Sequence, residues 1–425
     1  MKRKFPPAAS ILVAMVIGII LGWMIFNQFP DKKTAAQIAG YISIMSDIFL
    51  RLIKMLIAPL VFSTLVVGIA HMGDTAAIGR IGVKTMLWFI SASLLSLLLG
   101  LVMVNLLRPG EALNLPLPDA SASTNLKVAS LSFKEFVTHL VPRSAFEAMA
   151  DNEILQIVVF SGFFGSAAAA LGEKAKAMIH WIEALSEIIL RITGYVMSLA
   201  PIAVFAAMAS VVTTSGLGIL ITYGKFTGEF YFSLLLLWGL LAFAGFVFLG
   251  PRVFTLLRMV REPLLLSFTT ASSEAAYPKT LEMLERFGAK KKIVSFVLPL
   301  GYSFNLDGSM MYCTFAVLFI AQAYNLQLTL LQQVTMLLIL MVTSKGMAGV
   351  PRASLVVIAA TLATFNIPEA GLLLIMGIDQ FLDMGRSATN VIGNSVATAV
   401  VARWEGELGG GEALPAPGRA VPAAA

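Results

Sequence analysis

Residues 379 to 394 carry Asp379, Asp383, Arg386, Asn390 and Asn394, at intervals of 4, 3, 4 and 4 residues. At 100° per residue they fall at about 0°, 40°, −20°, 20° and 60°, a stripe roughly 80° wide on one helix face. The surrounding segment, 371 to 404, reads GLLLIMGIDQFLDMGRSATNVIGNSVATAVVARW and is long and apolar enough to cross a bilayer. Charge at that depth costs at least about 2.5 kcal/mol per group unless it is paired or hydrated. An ion pair that only joins helices needs two charges. Two carboxylates, one guanidinium and two amides on one face point instead to a site for a solute or an ion.

A second polar interruption, NLDG at 305 to 308, stands in the middle of another apolar run. Each of these two segments follows a shorter run of small and polar residues with a proline: SFTTASSEAAYPK at 267 to 279, and TSKGMAGVPRAS at 343 to 354. The apolar flanks of these runs are too short to cross a bilayer twice. Pro278 to Asp307 is 29 residues and Pro351 to Asp383 is 32, while Gly301 to Asp307 and Gly377 to Asp383 are both 6. The spacing predicts a duplicated unit of re-entrant hairpin plus broken helix. The first hairpin is flanked by Arg252, Arg258, Arg261 and by Arg286, Lys290, Lys291, Lys292. The second is flanked by AYNLQ (323 to 327) and FNIPEAG (365 to 371), with no Lys or Arg. The positive-inside rule therefore brings the first hairpin in from the cytoplasm and the second from outside. Inverted units whose tips meet near the midplane are a transporter arrangement, and unwound backbone at that depth must line protein or a water-filled cavity. A helix break also frees N–H groups for carboxylates and C=O groups for cations.

These elements belong to an integral membrane protein. Of 425 residues, 58% are hydrophobic and only 13% charged, against about 25% charged in soluble domains. The net charge of +6 is carried by short basic loops and needs no nucleic acid. One cysteine, Cys313, excludes a disulfide within the chain and a cysteine-based metal site. His71, His139 and His180 do not cluster, so neither a histidine metal site nor a Ser-His-Asp triad suggests itself, and no enzyme is expected.

After MKRK, Ile11 to Phe29 reads as a first membrane helix with a cytoplasmic N-terminus, not as a signal peptide. Further helices are expected over about 42 to 70 with a kink at Pro59, 85 to 107, 153 to 171, 182 to 211 and 219 to 249. Asp47, Arg51 and Lys54 stand near the start of the second. Residues 109 to 127 read as a polar external loop, 131 to 148 as an interfacial amphipathic stretch, and the tail from Gly409 as low-complexity and disordered.

The motifs SSEAAYP (272 to 278), NLDGS (305 to 309), SKGMAGVP (344 to 351) and DMGRSATNVIGN (383 to 394), in this order and spacing, resemble the dicarboxylate/amino acid:cation symporters, the glutamate transporter family. The resemblance covers nearly the whole chain. It implies an all-α membrane protein of eight transmembrane helices and two re-entrant hairpins, assembled as a homotrimer in a bacterial cytoplasmic (inner) membrane with both termini cytoplasmic. It implies an elevator-type division. Residues 1–82 and 131–215 form the scaffold (helices one and two, four and five), 83–130 hold the third helix and an external loop, and 216–408 form the core of a moving transport domain, followed by the tail, 409–425. Carried over by position, Arg386 grips the substrate's side-chain carboxylate and Asp383 accepts its α-ammonium. Asn390 and the hairpin-tip groups at Ser272, Ser273 and Val350 hold the main carboxylate, with Ser309 and Ser387 nearby. In sodium-coupled members, cations sit at positions matching Gly301, Asn305, Asp307, Asn390 and Asn394.

Three departures point to the proton-coupled bacterial branch. Asn394 stands where sodium-coupled members have Asp, Lys345 places an ammonium in the second tip, and Glu274 adds a titratable group to the first. The expectation is a symporter of glutamate or aspartate with no cofactor and the proton as coupling ion, sodium being the alternative. A symporter of C4-dicarboxylates is the nearest competing reading. Asp383 discriminates, because a substrate without an amino group leaves that carboxylate facing carboxylates. An anion channel would not need re-entrant hairpins that occlude.

Overall fold

The computed structural model describes residues 7–70, 75–111, 138, 140–217, 223–343, 353–376 and 378–410. Lys345 and Val350, with the rest of 344–352, most of the expected external loop and interfacial stretch (112–137), and the residues from 411 on lie outside them. Among the described residues every regular element is helical, apart from one antiparallel bridge between Ala289 and Leu408. In chain order they are α1 (Pro7–Gln28), α2 (Lys32–Ala70), α3 (Thr75–Leu107), α4 (Ala145–Ala150), α5 (Ile154–Leu171), α6 (Lys176–Met197), α7 (Ala200–Ser215) and α8 (Gly224–Leu249). There follow α9 (Arg252–Met259), α10 (Arg261–Thr270), α11 (Ser273–Phe287), α12 (Lys291–Phe304), α13 (Asp307–Ala323), α14 (Leu330–Thr343), α15 (Ala353–Thr364), α16 (Leu372–Met376) and α17 (Asp379–Trp404). Among the described residues, six stretches are long and apolar enough to span a bilayer: Ser10–Gln28, Lys32–Ala70, Gly79–Leu107, Ile154–Met197, Gly224–Leu249 and Lys291–Ala323.

Several boundaries differ from the sequence expectation for identifiable reasons. Helix α2 starts ten residues earlier than expected because Asp31 caps it, its carboxylate accepting from the Thr34 N–H (3.0 Å) and hydroxyl (2.7 Å). The helix expected over 182 to 211 is divided into α6 and α7. Pro201 has no N–H to donate to Met197, so the first helix ends there and the proline sits in the first turn of the next. The first hairpin turns in two residues, much less than the thirteen-residue interruption expected. Ala271 adopts a left-handed conformation (φ 49°, ψ 38°), and Ser272 caps α11, its Oγ accepting from Ala275 N–H at 3.2 Å. Its arms, α10 and α11, have 10 and 15 residues, about 15 and 22 Å at 1.5 Å per residue, and so are shorter than the roughly 30 Å apolar core of a bilayer.

The helix break after α12 lies at Asn305 (φ −125°, ψ 58°) and Leu306 (φ −94°, ψ 64°), and Asp307 opens α13. In the second unit Asp379 opens α17. Pro351 to Asp379 is 28 residues, against 29 from Pro278 to Asp307. The carboxylates in matching places are therefore Asp307 and Asp379. The pairing of Asp307 with Asp383 from glycine spacing is corrected, because the point where the helix restarts sets the register.

Helices α1, α2, α5, α6 and α7 pack on one another, and α3 packs chiefly on α13. Helix α17 is enclosed by protein: every residue from Met384 to Ala402 is buried, against α8, α10, α12 and α13 among others. Its stripe therefore never meets lipid. Exposed apolar surface lies elsewhere, as at Ile17 and Ile20 on α1 and Leu235, Phe243 and Val247 on α8. One end of the molecule is basic. There Glu405 pairs with Arg80 (2.9 Å) and Lys84 (2.6 Å), and Glu407 with Lys290 (2.5 Å) and Lys292 (2.6 Å). Partial burial pushes the Glu405 carboxyl up, but hydrogen bonds and charge from Arg80 and Lys84 outweigh it and hold it below the usual carboxylate range. Hydrogen bonds from Lys290 and Lys292 likewise depress Glu407.

Candidate solute-binding site

A cavity of about 460 Å³ opens between α2 and α7 on one side and the first hairpin, α12, α13 and α17 on the other. The sequence-predicted residues Ser272, Ser273, Glu274, Ser309, Asp383, Arg386, Ser387 and Asn390 all line it. They come from three helices because each is aimed by a different local device. The cap at Ser272 turns the start of α11 toward the cavity, and the first N–H groups of that helix have no intrahelical acceptor. The restart at Asp307 brings Ser309 in. The helical period of α17 supplies Asp383, Arg386 and Asn390.

Arg386 is the centre of the site and is 1% exposed. Its Nη2 donates to Asp379 Oδ1 at 3.2 Å and pairs with Asp383 Oδ1 at 3.0 Å. The guanidinium carbon sits 4.1 Å from the Tyr312 ring centroid, and the Tyr312 hydroxyl donates to Asp379 Oδ1 at 3.1 Å. Among the described residues, Arg386 Nε and Nη1 are buried with no hydrogen-bond partner. A buried N–H without an acceptor costs about 1–3 kcal/mol, more in a charged group. The guanidinium thus keeps N–H donors on two of its three nitrogens that an anion can take up. Asp383, beside it, has a side chain 29% exposed, against 2% for Asp379. Ser387 Oγ donates to Asp383 Oδ1 at 3.5 Å.

Asn390 is already engaged. Its Oδ1 accepts from Gly308 N–H at 2.9 Å, and its Nδ2 donates to Ser309 Oγ at 3.4 Å, tying α17 to the start of α13. Glycine is required at that crossing, because a Cβ on Gly308 would overlap the Arg386 carbonyl oxygen.

A second cluster lies deeper. Asn305 Nδ2 donates to Asp307 Oδ2 and to Asn394 Oδ1, both at 3.1 Å. Ser96 of α3 donates to Asp307 Oδ1 at 3.3 Å, and Ser93 donates to the carbonyl of Phe304, where α12 ends. Cβ atoms on Gly301 and Gly393 would overlap Asn394 Oδ1 and Asp307 Oδ2. Asn305 Oδ1 and Asn394 Nδ2 are buried without a partner among the described residues. Gly301, Asn305, Asp307 and Asn394 are thus brought together around one carboxylate, with Asn305 Oδ1 as an oxygen that has no partner among the described residues.

Sequence reasoning did not assign roles to Asp379 or Tyr312. Asp379 was visible in the stripe, four residues before Asp383. Tyr312 stands in an apolar run, and its approach to Arg386 depends on how α13 crosses α17. Nor was the α2 side of the cavity assigned: Asp47 and Lys54 line it, opposite Glu274.

The sequence profile described as the sodium:dicarboxylate symporter family matches residues 8–404. A protein of Laribacter hongkongensis named C4-dicarboxylate transport protein is 41% identical over 404 residues, covering 94% of this chain and 89% of its own length. One of Cupriavidus taiwanensis with the same name is 42% identical, covering 94% and 91%. A protein of Bacillus caldotenax named proton/sodium-glutamate symport protein is 38% identical over 411 residues, covering 95% and 96%.

Proposed function

The chain belongs to the sodium:dicarboxylate symporter family, a family of transporters rather than enzymes, and from that premise we propose that it takes up glutamate or aspartate in symport with protons. The observation that carries this reading is the placing of Asp383 beside Arg386, whose Nε and Nη1 have no partner among the described residues, on one cavity wall. An acidic amino acid presents a carboxylate and an ammonium. The carboxylate takes the unpartnered N–H groups of Arg386, displacing an aspartate from Nη2 where it binds as a fork, and the ammonium takes Asp383, the more exposed of the two aspartates. Its other carboxylate lies toward the first turn of α11, at Ser272 and Ser273, and toward Asn390; Val350 belongs to the same group by resemblance. Glu274 carries the proton: it enters a site that dehydrates on closing, takes the proton there, and returns it when rehydrated. Asp307 is the second candidate carrier, within the cluster of Gly301, Asn305 and Asn394. Sodium in that cluster is the alternative coupling mode.

A second reading, a C4-dicarboxylate symporter, is favoured by the relatives at 41% and 42% identity that bear that name. Asp383 argues for the first.

Movement is of the elevator type. Helices α1, α2 and α4–α7 form a scaffold and trimer contact, while α3 and α8–α17 carry the site. The protein works as a homotrimer in a bacterial inner membrane, with eight crossings and two re-entrant hairpins, both termini cytoplasmic. Uptake of labelled aspartate and succinate into proteoliposomes, under separate proton and sodium gradients, tests the substrate and the coupling ion together. Accumulation of succinate but not aspartate would replace the first reading by the second.

A further inference from the structure

The charges around Arg386 do not balance. One guanidinium faces two carboxylates, Asp379 at 3.2 Å and Asp383 at 3.0 Å, and the Tyr312 hydroxyl gives Asp379 a hydrogen bond but no charge. The triad is net −1 before any solute arrives. The other charged or titratable groups around Asp383 do not correct this. Tyr231 of α8 spends its hydroxyl on the Phe381 carbonyl, and across the cavity, among the described residues, Glu274 of α11 and Asp47 of α2 are set against Lys54 alone. Cys313 of α13 is buried and carries no cation.

A solute whose carboxylate binds Arg386 therefore adds a negative charge to an already negative, water-poor cluster. An acidic amino acid offsets this with its ammonium, which can displace Arg386 from Asp383. A C4-dicarboxylate has no ammonium, and its two carboxylates leave the same cluster one charge more negative. The only light cation that can make up the difference at a carboxylate without new ligands is a proton.

Resting on the substrate class proposed above, we propose that this one site accepts both kinds of acid, and that a C4-dicarboxylate binds with one proton more than an acidic amino acid, held on Asp383. The stoichiometry of coupling is then set by the solute, and Asp383 is the residue that sets it.

The test uses the purified full-length protein in sodium-free buffer, with fumarate and L-aspartate as probes, at about pH 6 to 8, where their carboxyls are ionised and the amine is charged. Affinity for fumarate should fall by about tenfold more per pH unit than affinity for aspartate. In a weakly buffered solution, fumarate should take up one more proton per site on binding, a readout that needs no variant. In Asp383→Asn the difference in pH slope should vanish, with aspartate weakened and fumarate improved at the alkaline end. Equal slopes in the wild type would overturn the inference, as would a slope difference that survives in Asp383→Asn, or fumarate failing to bind at any pH while aspartate binds. If neither acid binds, the proposed substrate class itself fails.

Discussion

Arg386 is buried on all sides, held by Tyr312 and two aspartates, and still has donors to give. Arg386→Ala should lose about 2–5 kcal/mol of affinity for acidic solutes, because it removes one partner of a desolvated charge pair. Arg386→Lys should be nearly as poor, since a point charge cannot offer two parallel N–H groups. Binding measured by calorimetry, on variants that still elute as the wild-type assembly, checks this; unchanged aspartate affinity in either variant would refute the role. Glu274→Gln should separate exchange from accumulation. Exchange of labelled for unlabelled aspartate should persist while an imposed proton gradient no longer drives uptake, and a variant that still concentrates solute would move the proton to Asp307. The stripe on α17 was legible from the sequence because the helical period is fixed and its polar residues stand out in apolar surroundings. Tyr312 and Lys54 were not legible as site residues. Their parts follow from helix crossings, and nothing in residue type marks an aromatic ring as the wall under a guanidinium.

At the scale of elements, two helix restarts and one tight turn hold the site. The turn between α10 and α11 and the break at NLDG were legible, since small residues and prolines interrupt apolar runs there. The true size of the first turn and the register of the repeat were not. The turn depends on a left-handed Ala271, a conformation that alanine does not advertise. The register depends on where hydrogen bonding resumes. Glycines permit the closest approaches. Gly393→Ala would push a Cβ into Asp307 Oδ2, and should cost roughly 1–3 kcal/mol by overpacking, seen as a lowered melting temperature in detergent. Gly162→Ala on α5, where a Cβ meets nothing within 4 Å, should be neutral or slightly stabilising, because alanine is the better helix former. Equal effects at the two positions would show that the crossing at Gly393 is not tight.

Across the whole molecule, the basic end is fastened by Glu405 to α3 and by Glu407 to the segment entering α12. Both carboxyls are depressed in the folded state, so their contribution is fully present above the unfolded carboxylate range, near pH 4.5, and is lost as pH falls through their folded values. The pairs are partly exposed, so each is worth no more than about 1 kcal/mol. The melting temperature of Glu405→Gln/Glu407→Gln should therefore lie slightly below wild type at pH 7, and the gap should close as the buffer is taken below about pH 4. A gap that widens on acidification would contradict the assignment.

The central claim concerns the same scale: a chain with Asp383 beside Arg386, an uncharged Asn394 and a carboxylate at the first hairpin tip concentrates acidic amino acids at the expense of a proton gradient. The most direct measurement is uptake of labelled L-aspartate into proteoliposomes in sodium-free buffer with the interior alkaline. The account predicts accumulation above the external concentration that collapses when a protonophore is added and is unaffected by sodium. Uptake that requires external sodium and ignores the pH gradient would contradict it.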